Sequence, residues 1–174
     1  MRFYSGFCLE DESFLFSHLI ENGAFNLYGF SYGAIKAFEE TKKKLENYER
    51  VDRLVLFSPA FFQTSSQAFK KLQLRSFSKN SSRYLNNFIK SCFAPYDVMD
   101  VKIRQDGVED LEKLLYHEWK RDEVLKLKER GVVVEVYLGE KDEIIDVNGA
   151  FEFFKDVANV TFFKNANHFL QFNQ

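Results

Sequence analysis

The stretch Ala24-Phe25-Asn26-Leu27-Tyr28-Gly29-Phe30-Ser31-Tyr32-Gly33-Ala34-Ile35 decides how this chain is read. Ala24 to Tyr28 has the composition of a short strand, and Ala34 to Tyr48 reads as a helix with a charged outer face, Glu39, Glu40 and Lys42 to Lys44. Only Gly29 to Gly33 is left to turn one into the other. A turn that sharp strains the backbone of the residue at its apex. Side chains two positions to either side would collide, so both positions are glycine. The Ser31 hydroxyl then projects over the edge of a sheet. The Tyr32 amide points at the same place, and the positive end of the following helix lies beneath it. Ser31 is therefore the candidate nucleophile, and the Tyr32 amide is one candidate donor to an oxyanion.

Working outward, strands and helices alternate. Arg2 to Phe7 reads as a strand running into a loop, and Glu12 to Asn22 as a helix with Phe14, Leu15, His18 and Leu19 on one face. Val51 to Phe57 contains the continuous apolar run of a buried parallel strand, and Pro59 ends it. Val132 to Leu138 alternates apolar and polar residues and stops at Gly139; Asn148 to Val157 is a helix; Val160 to Phe163 is a last strand. The alternation predicts one α/β domain, residues 1–174, with a short parallel sheet, flanking helices and a helical insert over 60–131. In such sheets ligands lie at the carboxyl ends of the strands.

Two further groups fall at those ends. Asn167-His168-Phe169 follows the last strand, and Gly139-Glu140-Lys141-Asp142 follows the strand before it. The chain has three histidines. His18 falls on the first helix, and His117, between Tyr116 and Glu118 in a charged helix, reads as a solvated surface residue. His168 is the candidate general base. Asp142 is preferred over Asp146 as the acid that orients it, because it stands close behind Gly139; Glu140 and Glu143 are further alternatives. A second oxyanion donor is expected from the loop beside the nucleophile strand, where Ser5-Gly6-Phe7 ends the first strand. The Phe7 amide is the candidate.

Bulk composition excludes several classes. The net charge of −2 offers no overall attraction to nucleic acid. Cys8 and Cys92 have no paired spacing, which argues against a disulfide scaffold or a zinc site. No apolar run reaches membrane-spanning length, and the N-terminal residues lack a signal-peptide pattern, so a cytoplasmic location is expected. The chemistry needs no metal or organic cofactor. The 21 phenylalanines exceed an ordinary core's share and are available to line an apolar pocket.

Charge is uneven within the insert. Between Pro59 and Tyr96 stand Lys70, Lys71, Arg75, Lys79, Arg83 and Lys90, with no Asp or Glu, whereas Asp97 to Arg130 carries ten acids and eight bases. Interleaved aromatics make this an amphipathic, basic helical lid. An acidic protein, an anionic ligand or an anionic membrane surface would suit it.

These motifs together resemble the short esterases of the α/β-hydrolase superfamily that cleave the methyl ester of pimeloyl-acyl-carrier protein in biotin synthesis, the BioV type in particular. Met1 to Phe7 resembles their first strand and oxyanion loop, Gly29 to Ala34 their elbow, Gly139 to Asp142 their acid segment and Asn167-His168-Phe169 their base segment. Two positions depart from larger relatives. Tyr4-Ser5-Gly6-Phe7 replaces a histidine-glycine-tryptophan loop, and Asn167 replaces a small residue before the histidine. The resemblance implies a monomeric reduced α/β-hydrolase that acts on an acyl-carrier protein, without nucleic acid and without stable membrane association. Lys70, Lys71, Arg75, Lys79 and Arg83 would grip the acidic carrier. A generic carboxylesterase or thioesterase, and a catalytically inactive acyl-carrier-binding module, are the alternatives.

Overall fold

The computed structural model describes residues 1–172. In chain order the elements are β1 (Arg2–Tyr4), β2 (Leu9–Glu10), a 3-10 turn (Glu12–Phe16), β3 (Asn26–Phe30), α1 (Tyr32–Glu46), β4 (Arg53–Phe57), α2 (Gln67–Lys79), α3 (Ser81–Phe93), β5 (Lys102–Ile103), α4 (Val108–Tyr116), α5 (Arg121–Glu129), β6 (Val133–Gly139), α6 (Val147–Phe154) and β7 (Asn159–Phe163). β1, β3, β4, β6 and β7 form one parallel sheet in that order. β2 and β5 make a separate antiparallel pair, with Leu9 opposite Ile103.

Both faces of the sheet are covered, so its central strands are apolar throughout rather than alternating. Leu54 and Leu56 of β4 face a core shared with Phe38 of α1, Val124 and Leu127 of α5 and Phe154 of α6. Val55 and Phe57 face a second core containing Phe16, Phe30, Ile89, Cys92, Phe93 and Phe169. Among the described residues, helical cover on that second face comes from the C-terminal end of α3. Rings close much of the rest: Phe16 stacks on Phe57 at 4.6 Å between centroids, Phe30 on Phe169 at 4.8 Å, and Phe93 meets Phe169 at 4.3 Å. Each such pair contributes about 0.5–1.5 kcal/mol beyond the area it buries. Part of the phenylalanine excess is spent here.

Three expectations are corrected. The helix expected over Glu12–Asn22 is a 3-10 turn of five residues. Its buried ring is Phe16, while Phe14 is 51% exposed. The chain beyond the turn is held by the Tyr28 hydroxyl, which donates to the Glu21 carbonyl at 2.8 Å and accepts from the Glu21 amide at 3.1 Å. The first strand ends at Tyr4, so Ser5 to Phe7 belongs to a loop. Within the 60–131 insert, α5 lies in the helical layer on the sheet, and the C-terminal end of α3 covers the second face.

Candidate active site

Ser31 sits between β3 and α1 with φ 52° and ψ −114°, a conformation few residues other than glycine adopt. Its amide donates to the Phe57 carbonyl at 2.9 Å, and its carbonyl accepts from the amides of Ala34 and Ala60, each at 3.1 Å. The two glycines are required by backbone contacts rather than by each other's side chains. A methyl group on Gly29 would stand 2.3 Å from the Gly33 carbonyl oxygen, and one on Gly33 would stand 1.9 Å from the Tyr4 carbonyl oxygen. Gly33 thus allows the end of β1 to lie directly against the start of α1.

The structure brings Ser31, His168 and Asp142 together. The Ser31 hydroxyl is 3.1 Å from His168 Nε2, and His168 Nδ1 is 2.6 Å from Asp142 Oδ2. A carboxylate only accepts, so Nδ1 carries the proton and Nε2 is free to take the serine's. Asp142 Oδ1 accepts from the amides of Ile144 at 2.8 Å and Ile145 at 3.3 Å, which fixes the carboxylate in its turn. Asp146 has another task. It caps α6, accepting from the Gly149 amide at 3.0 Å and from the Thr64 hydroxyl at 2.8 Å. Glu140 accepts from the Asn165 amide at 2.9 Å, and Glu143 lines the cavity described below.

The acid turn and the base loop touch. A methyl group on Gly139 would lie 2.4 Å from the Asn167 carbonyl oxygen, and the Lys141 amide donates to Ala166 at 2.7 Å. Asn167 is fully buried. Its Nδ2 donates to the Phe93 carbonyl at 2.7 Å and to Gln171 Oε1 at 3.0 Å, while its Oδ1 accepts from the Gln171 amide at 3.0 Å. The Asn167 side chain therefore ties the base loop to the end of α3.

Among the described residues, the amides of Phe7 and Tyr32 have no acceptor, whereas the Gly6 and Cys8 amides on either side of Phe7 are both bonded. The Tyr32 hydroxyl donates to Asp110 at 3.1 Å, linking the elbow to α4. Glu12, Asp106 and Asp110 belong to no catalytic motif of the sequence. Glu12 lies in the stretch expected as a helix, Asp106 in an irregular segment, and Asp110 in the first turn of the amphipathic α4, where an acid is ordinary.

A cavity of about 640 Å³ opens at Ser31. Its wall is apolar where Phe7, Phe62, Phe88, Leu111 and Leu115 line it and polar where Gln73, Lys79, Asn80 and Arg83 do. Lys71, Arg75, Lys79, Arg83 and Lys90 are exposed, and none has a carboxylate partner among the described residues. Lys70 differs. It is 5% exposed, with its ammonium 5.0 Å from the Tyr116 ring centroid, so it is packed against α4 and unavailable to a partner. His117, expected to be a solvated surface residue, is half-buried. Its Nε2 is buried without a partner among the described residues, and its ring stands edge-on to Trp119 at 4.8 Å. Burial raises the thiol of Cys8 to about 11 and that of Cys92 well above its ordinary value, so neither offers a thiolate. Among the described residues no group of His, Cys, Asp and Glu is arranged to hold a metal ion, and no helix is long and apolar enough to cross a membrane.

No family model and no curated protein matches this chain. Solved structures do. An esterase (EaEST) from Exiguobacterium antarcticum is similar with a TM-score of 0.59 at 18% identity, over 82% of this chain and 59% of that one. This chain thus spans less than two thirds of that relative. A lipase-esterase related protein from Clostridium acetobutylicum is similar with a TM-score of 0.65 at 16% identity, over 97% and 86% of the two chains. BioG from Haemophilus influenzae is similar with a TM-score of 0.58 at 10% identity, over 97% and 88%. At these identities the likeness establishes the α/β-hydrolase fold.

Proposed function

We propose that the protein is a serine carboxylic ester hydrolase that works through an acyl-enzyme on Ser31. The observation carrying this reading is the continuous chain from Ser31 Oγ through His168 to Asp142, with links of 3.1 and 2.6 Å. As Ser31 attacks the ester carbonyl, His168 Nε2 takes the hydroxyl proton and Asp142 stabilises the imidazolium. The amides of Phe7 and Tyr32 receive the oxyanion, each contributing about 3 kcal/mol to the transition state. Collapse expels the alcohol, which leaves with the proton from Nε2. Water then enters, gives its proton to the same nitrogen, and releases the carboxylic acid and the free serine.

The substrate we favour is the methyl ester of a pimeloyl chain on an acyl-carrier protein, with methanol as the leaving alcohol. Three features support it: the resemblance of the four motifs, a cavity of about 640 Å³ with an apolar wall, and exposed cations on α2 and α3 without a carboxylate partner among the described residues. The names of the other structural neighbours, an esterase and a lipase-esterase related protein, favour a second reading, a generic carboxylesterase or thioesterase acting on small acyl esters. Activity on the carrier-bound methyl ester, its free analogue and short p-nitrophenyl esters separates the two. Preference for the carrier-bound ester supports the first; equal or better use of short esters supports the second. Ser31→Ala must abolish all of these activities in a folded protein. Retained turnover removes both readings.

A further inference from the structure

The loop beside the nucleophile is held from two directions. The Gly6 amide donates to Glu12 Oε1 at 2.7 Å, and the Cys8 amide donates to Asp106 Oδ2 at 2.7 Å. The Phe7 amide between them has no acceptor among the described residues. Cys8 has φ 56°, in the left-handed region that a non-glycine residue leaves readily unless held. Here it is held on both sides, because its carbonyl also accepts from the Arg104 amide at 2.9 Å. Arg104 in turn grips Asp106 through Nε at 2.8 Å and Nη2 at 3.0 Å. The pairing of β2 with β5 fixes the same two segments one step further along.

We propose that Glu12 and Asp106 are positioning residues of the oxyanion hole, each taking one flanking amide so that the Phe7 amide alone is left for the substrate oxygen. This rests on the serine-hydrolase reading above. A purely structural role explains Glu12 poorly. It is fully buried, and its Oε2 has no partner among the described residues. A buried carboxylate with one bare oxygen carries a desolvation cost that a residue chosen for packing alone does not. Burial pushes its carboxyl above the usual range, although the Gly6 amide, its own amide, the Ser5 hydroxyl and the Arg104 charge pull the other way. What Glu12 supplies that a leucine cannot is an acceptor for the Gly6 amide. Asp106 makes the matching bond from the far side, with its side chain 8% exposed.

The test is kinetic. Glu12→Leu and Asp106→Ala are expected to lower kcat by roughly 10- to 100-fold with KM changed less than about threefold, because the loss falls on the transition state. Affinity for a trifluoromethyl ketone, whose adduct with Ser31 places an oxyanion in the hole, is expected to fall by the same factor as kcat/KM. Glu12→Gln and Asp106→Asn keep an acceptor oxygen and are expected to remain within about fivefold of the parent. Glu12→Leu leaves the buried Gly6 amide bare and is expected to lower the melting temperature modestly, so its kinetics are measured where it is fully folded, which separates its effect from unfolding. The proposal is overturned if the Leu and Ala variants keep full kcat, if their losses are absent from ketone affinity, or if Gln and Asn do no better than Leu and Ala. Ser31→Ala is measured alongside. Activity surviving in it would sink the hydrolase reading itself, whereas a dead Ser31→Ala beside unimpaired brace variants sinks only this proposal.

Discussion

His168 Nδ1 and Asp142 Oδ2 lie 2.6 Å apart with both side chains closed to solvent. At that depth the carboxylate's part is to fix one imidazole tautomer, leaving Nε2 as the acceptor for the Ser31 proton. Asp142→Asn presents an amide that favours the other tautomer. It is expected to lower kcat by a factor on the order of 10³–10⁴ while near-UV circular dichroism stays unchanged. Asp146→Asn provides the contrast. It leaves the rate near that of the parent and costs at most about 1 kcal/mol of stability, since Asn also caps helices well.

Asn167 is expected to matter to both stability and rate. Its amide satisfies the buried carbonyl of Phe93, and removing it leaves that acceptor bare at a cost of about 1–3 kcal/mol. Asn167→Ala should therefore lower the urea midpoint, read by tryptophan fluorescence from the single Trp119. Because the same side chain anchors the loop bearing His168, kcat should fall several-fold at temperatures where the variant is fully folded. An unchanged midpoint would mean that the bonds to Phe93 and Gln171 carry no net stability.

What was legible in the sequence follows from how local the constraint is. Gly29 and Gly33 are demanded by backbone collisions within a few residues of Ser31, so the elbow is written in one short string. His168 and Asp142 were accessible because each stands directly after a strand. The first turn misled because apolar residues at helical spacing, Phe14, Leu15 and Leu19, surround the ring that inserts, Phe16. Asp106 bonds a backbone amide 98 residues away, a relation that no periodicity encodes. Lys70 belongs to the basic run of the sequence, but its burial depends on where Tyr116 of α4 arrives, which no local pattern encodes. The second face of the sheet was similarly hidden, since it is closed by rings drawn from β3, β4, α3 and the base loop rather than by one amphipathic segment.

His117 gives the fold a pH dependence with a definite sign. Burial holds its imidazole below the ordinary 6.5, against the opposing pull of Glu39, Glu123 and Glu118 and with Lys42 adding to the depression. A base whose folded value is lowered prefers to be neutral in the native state. Its full contribution to stability is present above about pH 6.5 and is lost as the pH falls through 6.5 toward the folded value. Replacing His117 with Phe removes that titration and the unpartnered Nε2 together. Urea midpoints measured between pH 7.5 and 5 should fall less steeply in His117→Phe than in the parent. Parallel slopes would place the acid sensitivity elsewhere.

The basic face of α2 offers a test of the proposed carrier docking that leaves the chemistry alone. Lys71, Arg75 and Lys79 recur every four residues and so share one side of the helix. Lys79 also lines the cavity, whereas Lys71 and Arg75 stand outside its wall. Reversing those two, Lys71→Glu with Arg75→Glu, changes the field felt by an approaching acidic carrier without touching the cavity lining. For a carrier-bound ester, kcat/KM should fall by about 10- to 100-fold at low ionic strength, chiefly through KM, with hydrolysis of a short p-nitrophenyl ester unchanged. Salt supplies the control. The parent's advantage on the carrier-bound ester should shrink as ionic strength rises through 0.15 M, where the screening length is about 8 Å, and the reversed variant should show little further loss. Equal losses on both esters would mean that the two cations support the lid rather than the carrier, and salt-insensitive turnover of the carrier-bound ester by the parent would remove electrostatic docking altogether.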